Sequence, residues 1–219
     1  MKVNREMIVR AGLALLDEVG LEELTLRKLA CKLKIQAPTL YWHFKSKEDL
    51  IDEMATMVLA DGAPSLLPGR SSSHWKPWAK AFGQGLRRTL LKYRDGARMV
   101  AGTRLTDTIY VETTEKIAAH IVSTGFSIRE TAVLLSTIYG YTISFVTEEQ
   151  AVFPKPGKRS PRYNIEKRKA RLDPAKFPVL RESGAILFDR FDRRFKEGLG
   201  LILSGAAARR HKNESKVVR

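Results

Sequence analysis

Residues 25–47 read TLRKLACKLKIQAPTLYWHFKSK, and the rest of the chain is organised around them. Thr25 has the hydroxyl that accepts a backbone N–H at a helix start. Leu26, Leu29, Ala30 and Leu33 then recur at helical spacing and form one apolar stripe. Lys34–Ile35 breaks that pattern. Gln36 is a weak cap for the next segment, and Pro38 falls in a first turn, where its missing N–H costs no intrahelical bond. Leu40 and Phe44 lie about one turn apart and point inward. Thr39, Trp42 and His43 fall on a different arc and point outward. The spacing predicts two short helices joined by a tight turn, the second shaped to enter a DNA groove.

Charge supports the same reading. Residues 25–47 hold six Lys/Arg (Arg27, Lys28, Lys32, Lys34, Lys45, Lys47) and no Asp or Glu. Acidic flanks (Asp17, Glu18, Glu22 and Glu23 before; Glu48, Asp49, Asp52 and Glu53 after) bound this positive patch. Cations beside phosphate-capable hydroxyls (Thr25, Thr39, Tyr41) are an electrostatic footprint for nucleic acid. The alternative is an ordinary solvated helix face. Net charge over the 219 residues is +15, yet residues 1–55 balance nine Lys/Arg against nine Asp/Glu. The excess sits at 155–176 and 209–219, so the charge total does not itself argue for DNA.

The remaining chain reads as helices. Residues 4–19 form one, with Ile8, Ala11, Leu15 and Val19 as its buried stripe and Gly20 as its stop. Ser46 begins a connecting helix, with Asp49 as a capping-box variant and Leu50, Ile51, Met54, Met57 and Val58 on its apolar side. Gly62 to Ser73 is a Gly-, Pro- and Ser-rich loop. Helices follow at 75–93, 107–123 and 128–150, the last apolar on most sides. Residues 151–178, with nine Lys/Arg against two acids, read as a long loop. A final helix spans 179–207, with Leu187, Phe191, Phe195, Leu199 and Ile202 nearly four apart, and the tail from Arg209 reads as frayed. Small residues (Gly184, Gly198, Gly200, Gly205) beside that stripe suit either intrachain packing or a two-fold homodimer made with 128–150. The expected organisation is all-α: a three-helix head at 1–45, a connecting helix at 46–60, a body at 61–208 and a basic disordered tail at 209–219.

Other classes find little support. No apolar run approaches a bilayer span, and no signal peptide is visible. The single Cys31 excludes an internal disulfide, reads as a small core residue and fits a reducing cytoplasm. The four histidines (His43, His74, His120, His211) have no ligand spacing, so no metal or cofactor is expected. Nucleophile-elbow, phosphate-loop and dinucleotide-binding patterns are absent. Glu148 and Glu149 point about 100° apart on a helix, so a catalytic dyad, and an enzyme, are not expected.

The run LTLRKLACKLKIQAPTLYWHFKSKEDL at 24–50 resembles the DNA-binding head of the TetR family of bacterial repressors. More loosely, YRDGARMVAGTR at 93–104, TGFSIRETAVLLSTIYGYT at 124–142 and ILFDRFDRRFKEGLGLIL at 186–203 resemble the ligand-binding body of its tetracycline-responsive members. The resemblance implies that Arg27, Gln36, Ala37, Pro38, Thr39 and His43 read base edges, with Tyr41, Trp42 and Lys47 near the phosphates. Arg27 is the best direct reader, because its fork matches guanine O6 and N7. Ala37 stands where tetracycline-responsive members carry a base-reading glutamine, and Leu26 where they carry a threonine, so a different palindromic operator is expected.

The body departs further from those members. Val100 replaces their metal-binding histidine, Phe82 an asparagine that grips the drug, and Lys116 a glutamine near the metal, while Glu148 is retained. The pocket that the resemblance implies is lined by Phe82, Leu86, Val100, Thr103, Thr113, Ile117, Leu135 and Tyr139, with Arg104, Lys116 and Glu148 as charged neighbours. Plain core is the alternative. Such a lining suits a mostly apolar inducer. Segment 94–104 is the expected coupling element between pocket and head. The expected function is a repressor released from its operator by a small molecule; the alternative is a regulator that needs no inducer.

Overall fold

The computed structural model describes residues 3–69, 72–106 and 108–217, with the side chains of 211–217 outside that description. It is all-α: α1 (Arg5–Val19), α2 (Leu26–Leu33), α3 (Ala37–Tyr41), α4 (Lys47–Gly62), α5 (Trp75–Leu90), α6 (Gly96–Val100), α7 (Ile109–Ser123), α8 (Ile128–Val152), α9 (Ile165–Arg171), α10 (Pro178–Phe188) and α11 (Phe191–Val217). A 3-10 turn, Ala63–Leu66, follows α4. Among the described residues the only β feature is an isolated bridge between Lys155 and Lys158.

Side-chain caps set several helix starts. The side chains of Asn4, Thr25, Ser46 and Ser127 accept the N–H groups of Met7, Lys28, Asp49 and Glu130. Each satisfies one donor that the helix itself leaves orphaned. At α8 the box is reciprocal, since the Glu130 carboxylate accepts the Ser127 N–H. At α4 the Asp49 carboxylate instead accepts the N–H of Lys45, one residue earlier than a standard box.

One apolar core runs from head to body. Leu13 and Leu16 of α1, Leu29 of α2, Leu40 of α3 and Met54 of α4 belong to the same buried cluster as Phe82, Leu86, Ile117 and Ile138. Helix α5 packs on α4, α7, α8 and α11. Gly85 permits its close approach to the 3-10 turn, because a Cβ there would overlap the Ser65 carbonyl. Arg87 then ties three helices together. Its guanidinium donates twice to Glu149 (2.9 and 2.8 Å) and once to Asp192 (3.0 Å), and it lies 5.1 Å from the centre of the Phe195 ring. Burial alone lowers the Arg87 pKa, but the bonds and charges of Glu149 and Asp192 outweigh it and raise the value.

Several expectations change. In α1 the buried face is broader than the stripe read from spacing: Val9, Gly12, Leu13 and Leu16 join Ile8 and Leu15, while Ala11 and Val19 are half-buried. On α4, Ile51 and Met57 are likewise only half-buried, and Ala55 and Leu59 are buried instead. Cys31 is exposed, because the inner face of α2 is filled by Leu26, Leu29 and Ala30. Gly62 closes α4 and the 3-10 turn follows, so the expected loop is shorter at its start; Arg70 and Ser71 lie outside the described residues. Helix α5 ends at Leu90, three residues before the expected end at Tyr93.

The largest change is at 151–207. Where one loop and one helix were expected, there are three helices. Asn164 caps α9, which buries no side chain. Arginines hold it to α10: Arg168 donates to the Leu180 carbonyl, and Arg181 to those of Lys169 and Leu172. Such bonds leave no hydrophobic periodicity to read. The expected helix from 179 to 207 breaks between α10 and α11, where Arg190 takes φ 45°. Arg159 seals the break by donating to the Phe188 carbonyl and to Asp189. Phe191, Phe195 and Leu199 are buried on α11, whereas Leu187 is exposed on α10 and Ile202 is half-buried. Helix α11 also continues to Val217, past the point where fraying was expected; Val218 and Arg219 lie outside the described residues.

Candidate DNA interface and ligand-binding core

The α2–α3 turn is a tight backbone feature. Lys34 adopts the left-handed conformation (φ 55°), and the N–H groups of Lys34 and Ile35 donate to the carbonyls of Cys31 and Ala30. This swings α3 away from α2. Leu40 and Phe44 are fully buried and hold the helix down, while its other side faces out. Trp42 is 89% exposed, and Arg27, Gln36, Pro38, Thr39 and Tyr41 are also exposed. Ala37 and His43 are half-buried.

Most of the expected reading residues are thus exposed on α3 and its flanks, with Arg27 on α2. Thr25 spends its hydroxyl on the α2 cap. Lys47 is half-buried, and its ammonium donates to the Leu21 carbonyl (2.9 Å). Lys28 pairs with Glu23, and Lys32 with Glu18. Arg27, Lys34 and Lys45 have no ion pair among the described residues, so their charge is free for phosphates or base edges. Arg5 was not singled out from sequence. It donates to the His43 carbonyl (2.6 Å), pairs with Glu53 and lies 4.4 Å over the Phe44 ring. It therefore fixes the end of α3 against α4.

The head is latched to the body through residues 94–98. The Arg94 N–H donates to Asp17 (2.7 Å), and its guanidinium donates to the Glu18 carbonyl (2.9 Å). Asp95, at φ 55°, accepts the Leu21 N–H (3.0 Å), and Arg98 pairs with Glu22 (3.0 Å). Behind the latch, buried Gln150 accepts the Ala97 N–H and donates to the carbonyls of Leu90 and Tyr93. One amide thus joins α5, α6 and α8. Sequence reasoning missed Gln150, because a glutamine near a helix end reads as solvent-facing.

The expected pocket residues divide. Phe82, Leu86, Val100, Thr113, Ile117 and Leu135 are buried between α5, α6, α7 and α8. Tyr139 and Thr103 are half-buried, and the Thr103 hydroxyl donates to the Val100 carbonyl. The three charged residues are not brought to this group. Lys116 is exposed, Arg104 is 85% exposed against Asp52, and Glu148 is exposed and holds Arg194. Tyr110, not singled out from sequence, has its phenol pKa pushed up to about 12, first by burial and further by the Tyr139 phenol, against an opposing bond to Thr114. Burial also raises Tyr139. Both remain neutral hydroxyls, able to donate or accept within an otherwise apolar layer.

A metal chelate does not fit this layer. Val100 offers no donor atom and is buried, and Glu148 is engaged outside by Arg194. Among the described residues, no cluster of three or more His, Cys, Asp or Glu side chains could hold a metal ion. No helix among them is long and apolar enough to cross a membrane.

Comparison with known proteins agrees with this architecture. Residues 8–54 match the family described as "Bacterial regulatory proteins, tetR family", and residues 67–210 match "Tetracyclin repressor-like, C-terminal domain". The chain is 35% identical over 211 residues to the class A tetracycline repressor protein from transposon 1721 of Escherichia coli, covering 95% of this chain and 93% of that one. A possible TetR family transcriptional regulator from Streptomyces coelicolor superposes with a TM-score of 0.82 at 29% identity, covering 94% of this chain and 99% of that chain. A single-residue variant of TetR from Acinetobacter baumannii, solved in complex with minocycline, gives 0.74 at 30% identity over 95% and 99%. The chain belongs to the TetR family of bacterial regulatory proteins, and it is a ligand-responsive repressor that binds DNA.

Proposed function

We propose that two copies pair through α8 and α11 and hold two α3 helices on a palindromic operator, and that a small, mostly apolar molecule between α5, α6, α7 and α8 releases them. The observation that carries this reading is the exposed α3 surface, pinned by buried Leu40 and Phe44 and joined to that layer through the Arg94–Arg98 latch. Arg27 would read a guanine, Gln36 an adenine and Thr39 a base edge, while Tyr41 and Trp42 would set register on the backbone. Ala37 and Pro38 would meet thymine methyls, with His43 at the edge of the surface.

Pairing is supported by surface composition. Val133, Gly140 and Ser144 of α8 are exposed, as are Gly200, Leu201 (76%) and Gly205 of α11. Open space stands over Gly140, Gly200 and Gly205, which lets a second copy approach closely. The two recognition helices would then sit about one DNA turn apart, or a small multiple of that.

For the inducer, the apolar layer with Tyr110, Tyr139, Thr103 and Thr113 as polar anchors favours an aromatic, metal-free ligand over a metal–drug chelate. The acidic pair Glu148–Glu149 is committed to Arg194 and Arg87, which supports a regulator without catalytic activity. Release requires the ligand to prefer the state in which the latch holds the heads wrongly spaced. The test is footprinting of genomic DNA with and without a library of aromatic metabolites. Protection lost with a ligand that also raises the melting temperature supports the reading. Protection that no ligand disturbs favours an inducer-independent regulator, and a monomer in solution would refute the pairing.

A further inference from the structure

A second cleft lies apart from the apolar layer. Its volume is about 790 Å³, and neither Phe82, Val100 nor Ile117 lines it. It sits where the end of α5, the end of α8 and the break before α11 meet, with Asp17 of the head on its rim. The size falls within the range of roughly 300–1,000 Å³ of small-molecule sites.

The charges of its wall are unevenly satisfied. Four carboxylates line it, and each already has a donor: Glu149 and Asp192 take Arg87, Asp189 takes Arg159, and Asp17 takes the Arg94 N–H. Three cations, Lys92, Lys155 and Arg190, have no acceptor for their side chains among the described residues. Arg190 is held at φ 45° at the α10–α11 break. All three line the one cleft, where an anion would meet them without displacing an existing partner. The cleft is also lined by apolar side chains, Leu91, Tyr93, Phe153 and Phe191, with the Phe153 and Phe191 rings meeting edge to face at 85°.

We propose that this cleft is a second ligand site, for a planar aromatic acid whose anionic group is held by Lys92, Lys155 and Arg190 and whose ring lies against Tyr93 and Phe153. The cations attract the anionic group, and the aromatic side chains add apolar burial that a compact inorganic ion cannot gain. Arg94 also lines the cleft, so an occupant would touch the residue that donates to Glu18 of the head. The site is independent of the apolar inducer layer, and either one can fail without the other.

The full-length protein is titrated with 1-anilinonaphthalene-8-sulfonate and with its uncharged counterpart, N-phenyl-1-naphthylamine, by fluorescence at constant ionic strength. The expected result is saturable sulfonate binding that weakens at least tenfold in the Lys92→Ala/Lys155→Ala/Arg190→Ala variant, with unchanged binding of the uncharged probe. Circular dichroism melts verify that the variant is folded. Lys92→Arg/Arg190→Lys keeps the charge and retains sulfonate affinity within about threefold. Absence of saturable binding, equal sulfonate affinity in the wild type and the triple variant, or equal loss in the charge-keeping variant would overturn the site.

Discussion

The α3 surface and the α5–α8 layer follow opposite construction rules. Around α3 the proposed contact residues are mostly exposed, and their support comes from two buried anchors, Leu40 and Phe44. In the layer the candidate contact residues are themselves buried, and they also belong to the folding core. A surface of the first kind can lose its function without losing its fold. A layer of the second kind cannot be altered without a stability cost, so function and stability are coupled there.

The comparison is broken most severely at the anchors. Phe44→Ala leaves a cavity beneath α3 and removes the ring under Arg5; a loss of about 3–5 kcal/mol in unfolding free energy is expected, read by denaturant melts. If stability held, α3 would not depend on its anchors. Arg87→Ala strands Glu149 in a site where the arginine side chain is only 12% exposed, at an expected cost of about 3 kcal/mol. Adding Glu149→Gln should restore part of it, and a double mutant no better than the single would show that the ion pair is not the reason.

Smaller effects sharpen the contrast. Arg27→Ala should leave the melting temperature unchanged and weaken operator binding by about 1–3 kcal/mol, with relaxed preference at a single base pair in each half-site. A uniform loss across sequences would make Arg27 a phosphate contact. Trp42→Ala should change stability by less than about 0.5 kcal/mol, because the ring is 89% exposed, while a gel-shift assay reports weaker binding. Tyr110 gives the smallest signal. Its folded pKa lies above the unfolded value, so its contribution is complete below about pH 10 and is lost as pH rises through about 12. Tyr110→Phe should remove that share of the alkaline decline, and a spectrophotometric phenol titration should lose its latest step.

Legibility follows the same division. The head was readable because its determinants are local: a capping hydroxyl at Thr25, an apolar stripe on α2, Pro38 in a first turn and a run of like charges. Even there, the role of Arg5 depends on residues distant in sequence. The α9 helix was illegible because arginine-to-carbonyl bonds, not buried apolar side chains, hold it. The break before α11 was hidden because apolar residues kept nearly helical spacing across it. Of the expected pocket, the apolar residues were found buried together, and the charged ones, Arg104, Lys116 and Glu148, were not with them.

The amino-acid sequence by itself determined the helices that carry an apolar stripe, the turn that separates α2 from α3, and the cationic segment 25–47 around α3, because each rests on contacts within a few residues. The tertiary structure alone decided which partners the charged side chains take. Arg87 chose Glu149 and Asp192, Asp17 and Asp95 took backbone donors across the head–body junction, and Gln150 bound α6. Each of those choices joins residues at least 53 positions apart. They depend on packing that brings distant groups within hydrogen-bond reach, and no periodicity along the chain encodes that proximity.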